Sequence, residues 1–398
     1  MPEPIPLMIL THNYPRYPGD YAGVFISLLA RKLVDMGIRP VVLAPHDSGA
    51  SECEEIDGVK VYRFRYARSE QEQTIAYRGN MHQLVLGSVS GIFKFKQFLD
   101  CFRANALEII DREQIAVVSG HWLIPSGLVM RTIEKKTGLP MILSSHGTDV
   151  RLMRRYMGVA YRYLKDLCRG LSSWTVVSEY LRHEIARQDV ALENILSVLP
   201  LPHDETIFFR DESIERENNL IVAVTRFTDQ KRVDYLIKAF ALVVERYPAA
   251  RLEIYGSGPL RSEIETLIER FGLSSQVAIE NPVPQPELRK LYNRAWMVVL
   301  NSVREGFGLA LSEGMMCGAA AVGVDSGGIP GIIKHEKTGL LVKPDNSSVL
   351  ADAMVRLIED DALRERLASD GHRYARQTYA STELARRYAD LVHSAAGR

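Results

Sequence analysis

The sequence predicts an α/β architecture of two doubly wound parallel sheets, and three observations carry that prediction. Its 398 residues exceed what one hydrophobic core ordinarily organises. Short apolar runs alternate with longer amphipathic stretches along almost the whole chain, as buried parallel strands joined by helices do. A proline-punctuated break at Leu199-Pro-Leu-Pro-His-Asp204, followed by the charged segment Arg210–Asn219, separates the runs into two series.

The first series places strands at Ile5–Leu10, Pro40–Ala44, Val59–Phe64, Ile115–Ser119, Pro140–Ser144, Trp174–Val177 and Leu196–Leu199. The second places them at Leu220–Val224, Arg251–Tyr255, Val277–Glu280, Trp296–Asn301, Ala320–Val324 and Leu340–Val342. Each run is short and rich in β-branched or aliphatic residues, and helix-like periodicity follows it. The expected domains are therefore residues 1–205 and 206–380, with 381–398 a C-terminal helix packing back on the first. Sheets of this kind bind ligands beyond the carboxyl ends of their strands, so two facing sheets are expected to make a cleft.

Composition narrows the partners. Lys plus Arg and Asp plus Glu are 49 each, so no overall basic field points to nucleic acid. With 46% hydrophobic and 25% charged residues, disordered, collagenous and disulfide-scaffold classes are excluded. Cys53, Cys101, Cys168 and Cys317 are far apart and form no Cys-x-x-Cys, which reads as reduced thiols in a cytosolic protein. No apolar run approaches the ~20 residues that span a bilayer. The opening Met1–Leu10 lacks a basic segment and reads as a first strand, not a signal peptide, so a cytoplasmic location is expected.

The densest chemical signal is Leu300-Asn-Ser-Val-Arg-Glu-Gly-Phe-Gly-Leu-Ala-Leu-Ser-Glu-Gly-Met-Met-Cys-Gly318. A strand runs into Glu305-Gly-Phe-Gly308, and a helical pattern follows from about Leu309 to Cys317. Gly306 and Gly308 let backbone approach a ligand, and the free N–H groups of Phe307, Gly308 and Leu309 at a helix start suit a diphosphate. Glu305 is placed to meet a sugar hydroxyl and Glu313, further along the helix, a ribose, the acid pair alone reading equally as a loop carboxylate and a solvated helix residue. The turn after Val224 carries Arg226 and Lys231, two cations able to neutralise phosphate charge. Tyr255-Gly-Ser-Gly-Pro259 and Asp325-Ser-Gly-Gly-Ile-Pro330 end further strands in glycine turns. Together these loops describe a nucleotide-diphosphate pocket.

On these residues the chain resembles glycosyltransferase family 4, the retaining GT-B enzymes that use nucleotide-diphosphate sugars, over nearly its whole length. The specific parts are the Arg226/Lys231 loop, Gly256-Ser-Gly-Pro259, Glu305 with Glu313, Gly327-Gly328 and Thr338-Gly-Leu-Leu-Val342. The resemblance implies two facing Rossmann-like domains, Arg226 and Lys231 on the donor diphosphate, and Glu305 on the transferred sugar. It further implies that the Gly306 to Leu309 backbone cradles sugar and phosphate, Glu313 holds the ribose, and the Asn281–Val283 loop meets the base, with Val283 the contact. In the first domain, Asn13–Phe25 resembles the family's glycine-bearing first loop, with Gly23 approaching phosphate and Tyr21 on the acceptor side. His121-Trp-Leu-Ile-Pro-Ser-Gly127 and Ser144-Ser-His-Gly-Thr-Asp149 are likewise similar to family segments, the latter placing His146 and Asp149 beside the acceptor. No cofactor and no metal are implied beyond the nucleotide-sugar donor.

Departures from the pattern are few. Glu313-Gly-Met-Met316 replaces the family's usual Glu-Ala-Met-Ala, and Gly314 is expected to weaken the helix by up to ~1 kcal/mol relative to Ala. Gly331 stands where an acid is usual, Pro202-His-Asp204 replaces an Asn-Gly turn, and Asn281 occupies a common glycine position. The expected reaction is hexosyl transfer with retention from a nucleotide sugar, a UDP-sugar by family frequency, to an acceptor hydroxyl on a glycan, lipid-linked or small-molecule acceptor. Sugar-nucleotide 2-epimerases of the same architecture, which need no acceptor, are the alternative, and a non-catalytic sugar-nucleotide-binding partner protein is a third reading. Two basic stretches, 91–103 and 151–169, point either to an anionic membrane surface or to an anionic acceptor, against a plain solvated face.

Overall fold

In the structure, a computed structural model, residues 3–77, 81–153 and 165–397 are described. The chain forms two units, one of Met1–Val177, Leu181–Pro202 and Ser381–Arg398, the other of Ser178–Tyr180 and His203–Ala380.

The strands of the first unit are β1 (Ile5–Leu10), β2 (Ile38–Pro45), β3 (Cys53–Ile56), β4 (Val59–Phe64), β5 (Val117–His121), β6 (Met141–Ser145), β7 (Leu171–Val176) and β8 (Leu196–Val198). They form one eight-stranded sheet in the order β3-β4-β2-β1-β5-β6-β7-β8. All neighbours are parallel except β3 and β4, an antiparallel hairpin in which Ile56 pairs with Val59. The expectation of purely parallel strands is corrected there. Strand β3 is a half-exposed edge, so it lacks the apolar run that marks the others. Its signal is the Asp57-Gly58 turn, where both residues adopt positive φ, of 50° and 76°.

Helices cover both faces of the inner strands, which is why β1 and β2 read as nearly continuous apolar runs. Leu7, Ile9, Val42, Val61, Val117 and Ile142 pack with Ile26, Leu29 and Leu33 of the helix Val24–Val34. Ala385, Tyr388, Ala389 and Val392 of the C-terminal helix Ser381–Ala395 close the same core. Burying each of these Val, Leu and Ile side chains contributes about 1.5–3 kcal/mol. The buried Tyr388 hydroxyl would be costly without a partner, and Ser119 Oγ supplies one at 2.5 Å.

The second unit holds β9 (Leu220–Val224), β10 (Arg251–Tyr255), β11 (Val277–Glu280), β12 (Met297–Leu300), β13 (Ala320–Val324) and β14 (Leu340–Val342). Its six-stranded sheet has the order β11-β10-β9-β12-β13-β14, parallel throughout. The longer of its two segments begins at His203, slightly before the expected residue 206. His203 is bound into it by its N–H to the Tyr379 carbonyl at 2.9 Å and by its Nε2 against Ser312 Oγ at 2.8 Å.

The helix Leu309–Met316 corrects one expectation. A Cβ on Gly314 would meet Val298 Cγ1 of β12 at 2.6 Å, so glycine is what lets the buried helix lie this close to the sheet. Its low helix propensity is offset by packing that alanine would disrupt.

Candidate functional site

In each sheet the strand order reverses once, and ligand sites in such folds lie beyond the carboxyl ends of the strands at that point. In the second sheet the reversal falls between β9 and β12. The loop after β9 carries Arg226 and ends in a short 3-10 turn, Asp229–Lys231, while the loop after β12 carries Glu305 to Gly308. Backbone bonds join the two loops, Val303 N–H donating to the Gln230 carbonyl at 2.9 Å. Asn301 Nδ2 donates to the Arg232 carbonyl at 3.0 Å.

Lys231 and Glu305 are brought together by this arrangement: Nζ and Oε2 are 2.5 Å apart, with side chains only 13% and 16% exposed. Burial pushes the Glu305 carboxyl up, but the Lys231 ammonium beside it, with the charge of Arg226, outweighs burial and holds it below the ordinary range. Glu305 is thus a carboxylate facing two cations. Arg226 itself is exposed.

Beyond Glu305 the backbone turns sharply into the helix Leu309–Met316, with Gly308 at its N-cap in positive φ, 120°. Among the described residues the amides of Gly306, Phe307, Gly308 and Leu309 have no hydrogen-bond partner, while the carbonyls of Glu305 and Gly306 do. Such unpaired N–H groups suit an anion.

Glu313 is buried one turn into the helix and accepts from Tyr292 Oη at 3.1 Å. Burial pushes its carboxyl up to about 8, and the Tyr292 hydrogen bond only partly counteracts this, so the group is mostly protonated near neutral pH. Gly256 follows β10, and a Cβ there would lie 1.8 Å from the Thr225 carbonyl oxygen. Its glycine is required by the backbone of the Arg226 loop, against which the turn lies flat. Val283 is half-buried in the loop after β11, on the same rim but at the sheet edge.

In the first sheet the reversal falls between β1 and β5. His12 follows β1, His121 ends β5 and His146 follows β6. His121 Nδ1 and His146 Nε2 are 3.0 Å apart, and Trp122 lies against both His12 and His146 with ring centroids 4.5 and 4.6 Å away. Burial pushes the imidazoles down, His146 to about 3 and His12 to about 4, so all are neutral at pH 7. Asp149 is buried, and its oxygens accept from the backbone N–H of Leu123 at 2.9 Å and of Gly147 at 3.0 Å. It shapes the His146 loop.

Tyr21 is 84% exposed. The loop around it is braced by Arg16, whose guanidinium meets Asp20 at 2.7 Å and Asp47 at 2.6 Å. Gly23 adopts φ 64°, and a Cβ there would lie 2.1 Å from the Asn13 carbonyl oxygen, so loop closure already demands glycine. Sequence reasoning missed His12, Ser178, whose hydroxyl donates to the Gly306 carbonyl at 2.7 Å, and Tyr292, and it gave His121 no role of its own. Position after a strand end was a usable signal for the two histidines; no local signal marks Ser178 or Tyr292.

The basic stretches divide. In 91–103 the cations Lys96 and Arg103 pair with Asp100 at 2.7 and 2.8 Å, and Phe98 and Phe102 are core residues, whereas Ile92 and Phe93 are exposed. In 151–169, Arg154, Arg155 and Arg162 lie outside the described residues.

Comparison with known proteins supplies the family. Residues 204–374 match the model of glycosyl transferases group 1, and residues 22–200 that of the glycosyl transferase 4-like domain. An uncharacterized glycosyltransferase of Methanocaldococcus jannaschii is 34% identical over 407 aligned positions, covering 96% of each chain. The chain belongs to glycosyltransferase family 4. Solved structures share its GT-B fold: sucrose-phosphate synthase from Thermosynechococcus elongatus has TM-score 0.79 at 18% identity over 98% of each chain. HepE of Anabaena, in complex with UDP-glucose, has TM-score 0.76 at 17% identity over 98% of this chain and 100% of its own. Among the described residues of this chain, no helix is long and apolar enough to cross a membrane.

Proposed function

We propose that this glycosyltransferase moves a hexosyl unit from a nucleotide-diphosphate sugar to an acceptor hydroxyl with retention of configuration at C1. The observation that carries the reading is the Lys231–Glu305 pair at the strand-order reversal, next to Arg226 and to amides without partners. In the reaction the bond from C1 to the diphosphate oxygen breaks and a bond from C1 to the acceptor oxygen forms on the same face. The acceptor's proton passes to the departing phosphate. Arg226, Lys231 and the Phe307–Leu309 amides stabilise the charge that builds on the leaving group, each well-placed donor supplying roughly 3–4 kcal/mol. Glu305 positions the sugar and faces its developing positive charge. Glu313 takes the ribose and the Val283 loop the base, and His146, held by His121, serves the acceptor side together with Tyr21 and Asp149.

The donor is a UDP-sugar in this reading, a choice supported by the UDP-glucose complex of HepE. Two side-chain cations supply the neutralisation a divalent ion gives elsewhere, so turnover is metal-independent and no cofactor takes part. The enzyme works in the cytoplasm. The exposed Val89, Ile92 and Phe93, with Lys94 beside them, make peripheral contact with anionic membrane. Liposomes with anionic lipid should pellet the protein at low salt, and an Ile92→Ser/Phe93→Ser double variant should stay in the supernatant.

Nucleotide release from a panel of UDP- and GDP-sugars, with and without acceptors and with excess EDTA, tests the activity. Acceptor-dependent release unaffected by EDTA, with an α-linked product from an α-donor by NMR, is expected. Conversion of the donor without an acceptor would favour the epimerase reading instead, and no turnover with any donor would favour the non-catalytic one.

A further inference from the structure

Ser178 belongs to the second unit, although the chain on either side of Ser178–Tyr180 folds with the first. Its buried hydroxyl donates to the Gly306 carbonyl at 2.7 Å. One peptide earlier, the Glu305 carbonyl accepts the Gly328 N–H, also at 2.7 Å. Gly327 and Gly328 press directly on this turn: a Cβ on Gly327 would lie 2.4 Å from the Glu305 oxygen, and one on Gly328 2.4 Å from the Gly306 oxygen. Two consecutive peptide planes are thus fixed by their oxygens.

A planar trans peptide carries its C=O and N–H on opposite sides, so fixing the oxygen also fixes where the N–H points. The N–H groups so fixed are those of Gly306 and Phe307, both without partners among the described residues. Without the Ser178 hydroxyl, the half-buried Gly306 carbonyl would lose its protein partner and the peptide would gain a reason to rotate towards water, taking the Phe307 N–H with it.

We infer that Ser178 is a positioning residue: its hydroxyl, together with the Gly328 amide, sets the Gly306 and Phe307 N–H groups to receive a diphosphate oxygen of the donor. This rests on the proposed reading of the loop as the diphosphate site. Glycine on the 327–328 side lets backbone reach one carbonyl, and serine on the other side reaches the next, so the turn is held from both flanks before any ligand arrives.

Titration calorimetry of UDP against uridine, and in parallel GDP against guanosine, is the test, with wild type, Ser178→Ala, Ser178→Cys and Ser178→Thr. Ser178→Ala should bind the nucleoside diphosphate about tenfold more weakly, bind the nucleoside unchanged, lose more in kcat than in KM, and melt with the wild type. Ser178→Thr, which keeps the hydroxyl, should restore diphosphate affinity. Equal loss for nucleoside and diphosphate, or no loss, overturns the positioning role while the donor site stands. Wild type binding neither diphosphate overturns the donor reading, and this inference with it. Should Ser178→Ala fail to fold, Ser178→Cys, nearly isosteric and a weak donor, carries the same comparison, and wild-type diphosphate affinity in it overturns the inference.

Discussion

Lys231 Nζ sits 2.5 Å from Glu305 Oε2, the two residues arriving on loops that leave adjacent parallel strands at the point where the sheet order reverses. The ion pair is largely shielded, so each charge depends on the other to offset lost hydration. Neither residue is spare in such a pair.

Glu305→Gln should therefore act twice. It leaves the Lys231 ammonium shielded without its counter-charge, costing roughly 1–3 kcal/mol of stability, and it removes the charge facing the sugar, lowering kcat about a hundredfold. Denaturant unfolding and steady-state turnover read the two effects separately. A variant of wild-type kcat would remove Glu305 from the chemistry.

Glu313 makes stability fall as pH rises. Its folded value of about 8 lies above the ordinary carboxyl value near 4.5, so between these the folded state holds a proton that the unfolded chain has lost. The contribution is full below pH 4.5 and is gone once pH passes 8. Glu313→Gln, which cannot ionise, should flatten the melting temperature between pH 6 and 9, and an unchanged slope would contradict the burial argument.

The histidines of the first unit act in the opposite sense. His146 and His12 are pushed to about 3 and 4, below the ordinary 6.5, so on acidification the unfolded chain takes up protons first. Stability should fall as pH drops from 6.5 towards 4, and His12→Gln should reduce that slope. Melting curves at pH 7.5 and 5 for both proteins check it.

Glu113 governs a lower window. Burial pushes its carboxyl up, but hydrogen bonds from Lys60, Tyr62 and Arg39 outweigh burial and bring it to about 2. Its stabilisation is complete above pH 4.5 and disappears as pH falls through 2. Glu113→Gln should lose stability at pH 7 and converge with wild type in strong acid, as acid-unfolding curves would reveal.

What the sequence discloses here follows from burial. Leu220–Val224 and Ala320–Val324 coincide with observed strands, because a parallel strand covered on both faces must be a continuous apolar run; Arg251–Tyr255, Val277–Glu280 and Leu340–Val342 coincide as well, with burial that alternates along each. Cys53–Ile56 escapes because an edge strand with two half-exposed residues has no such run. Lys231 and Glu305 were readable as charges placed just past strand ends. Ser178 and Tyr292 were not, since their partners Gly306 and Glu313 lie far away in sequence or on another helix. Gly314 was misread as a helix defect because the Val298 side chain it accommodates lies on a neighbouring strand.

The central claim, that Arg226 and Lys231 grip the donor diphosphate, is tested most directly by nucleotide release from the preferred donor in Arg226→Ala and Lys231→Ala. Each should lower kcat/KM at least a hundredfold while still melting cooperatively, Lys231→Ala at a lower temperature because it leaves the Glu305 carboxylate without its counter-charge. Turnover at the wild-type rate in either folded variant would contradict it.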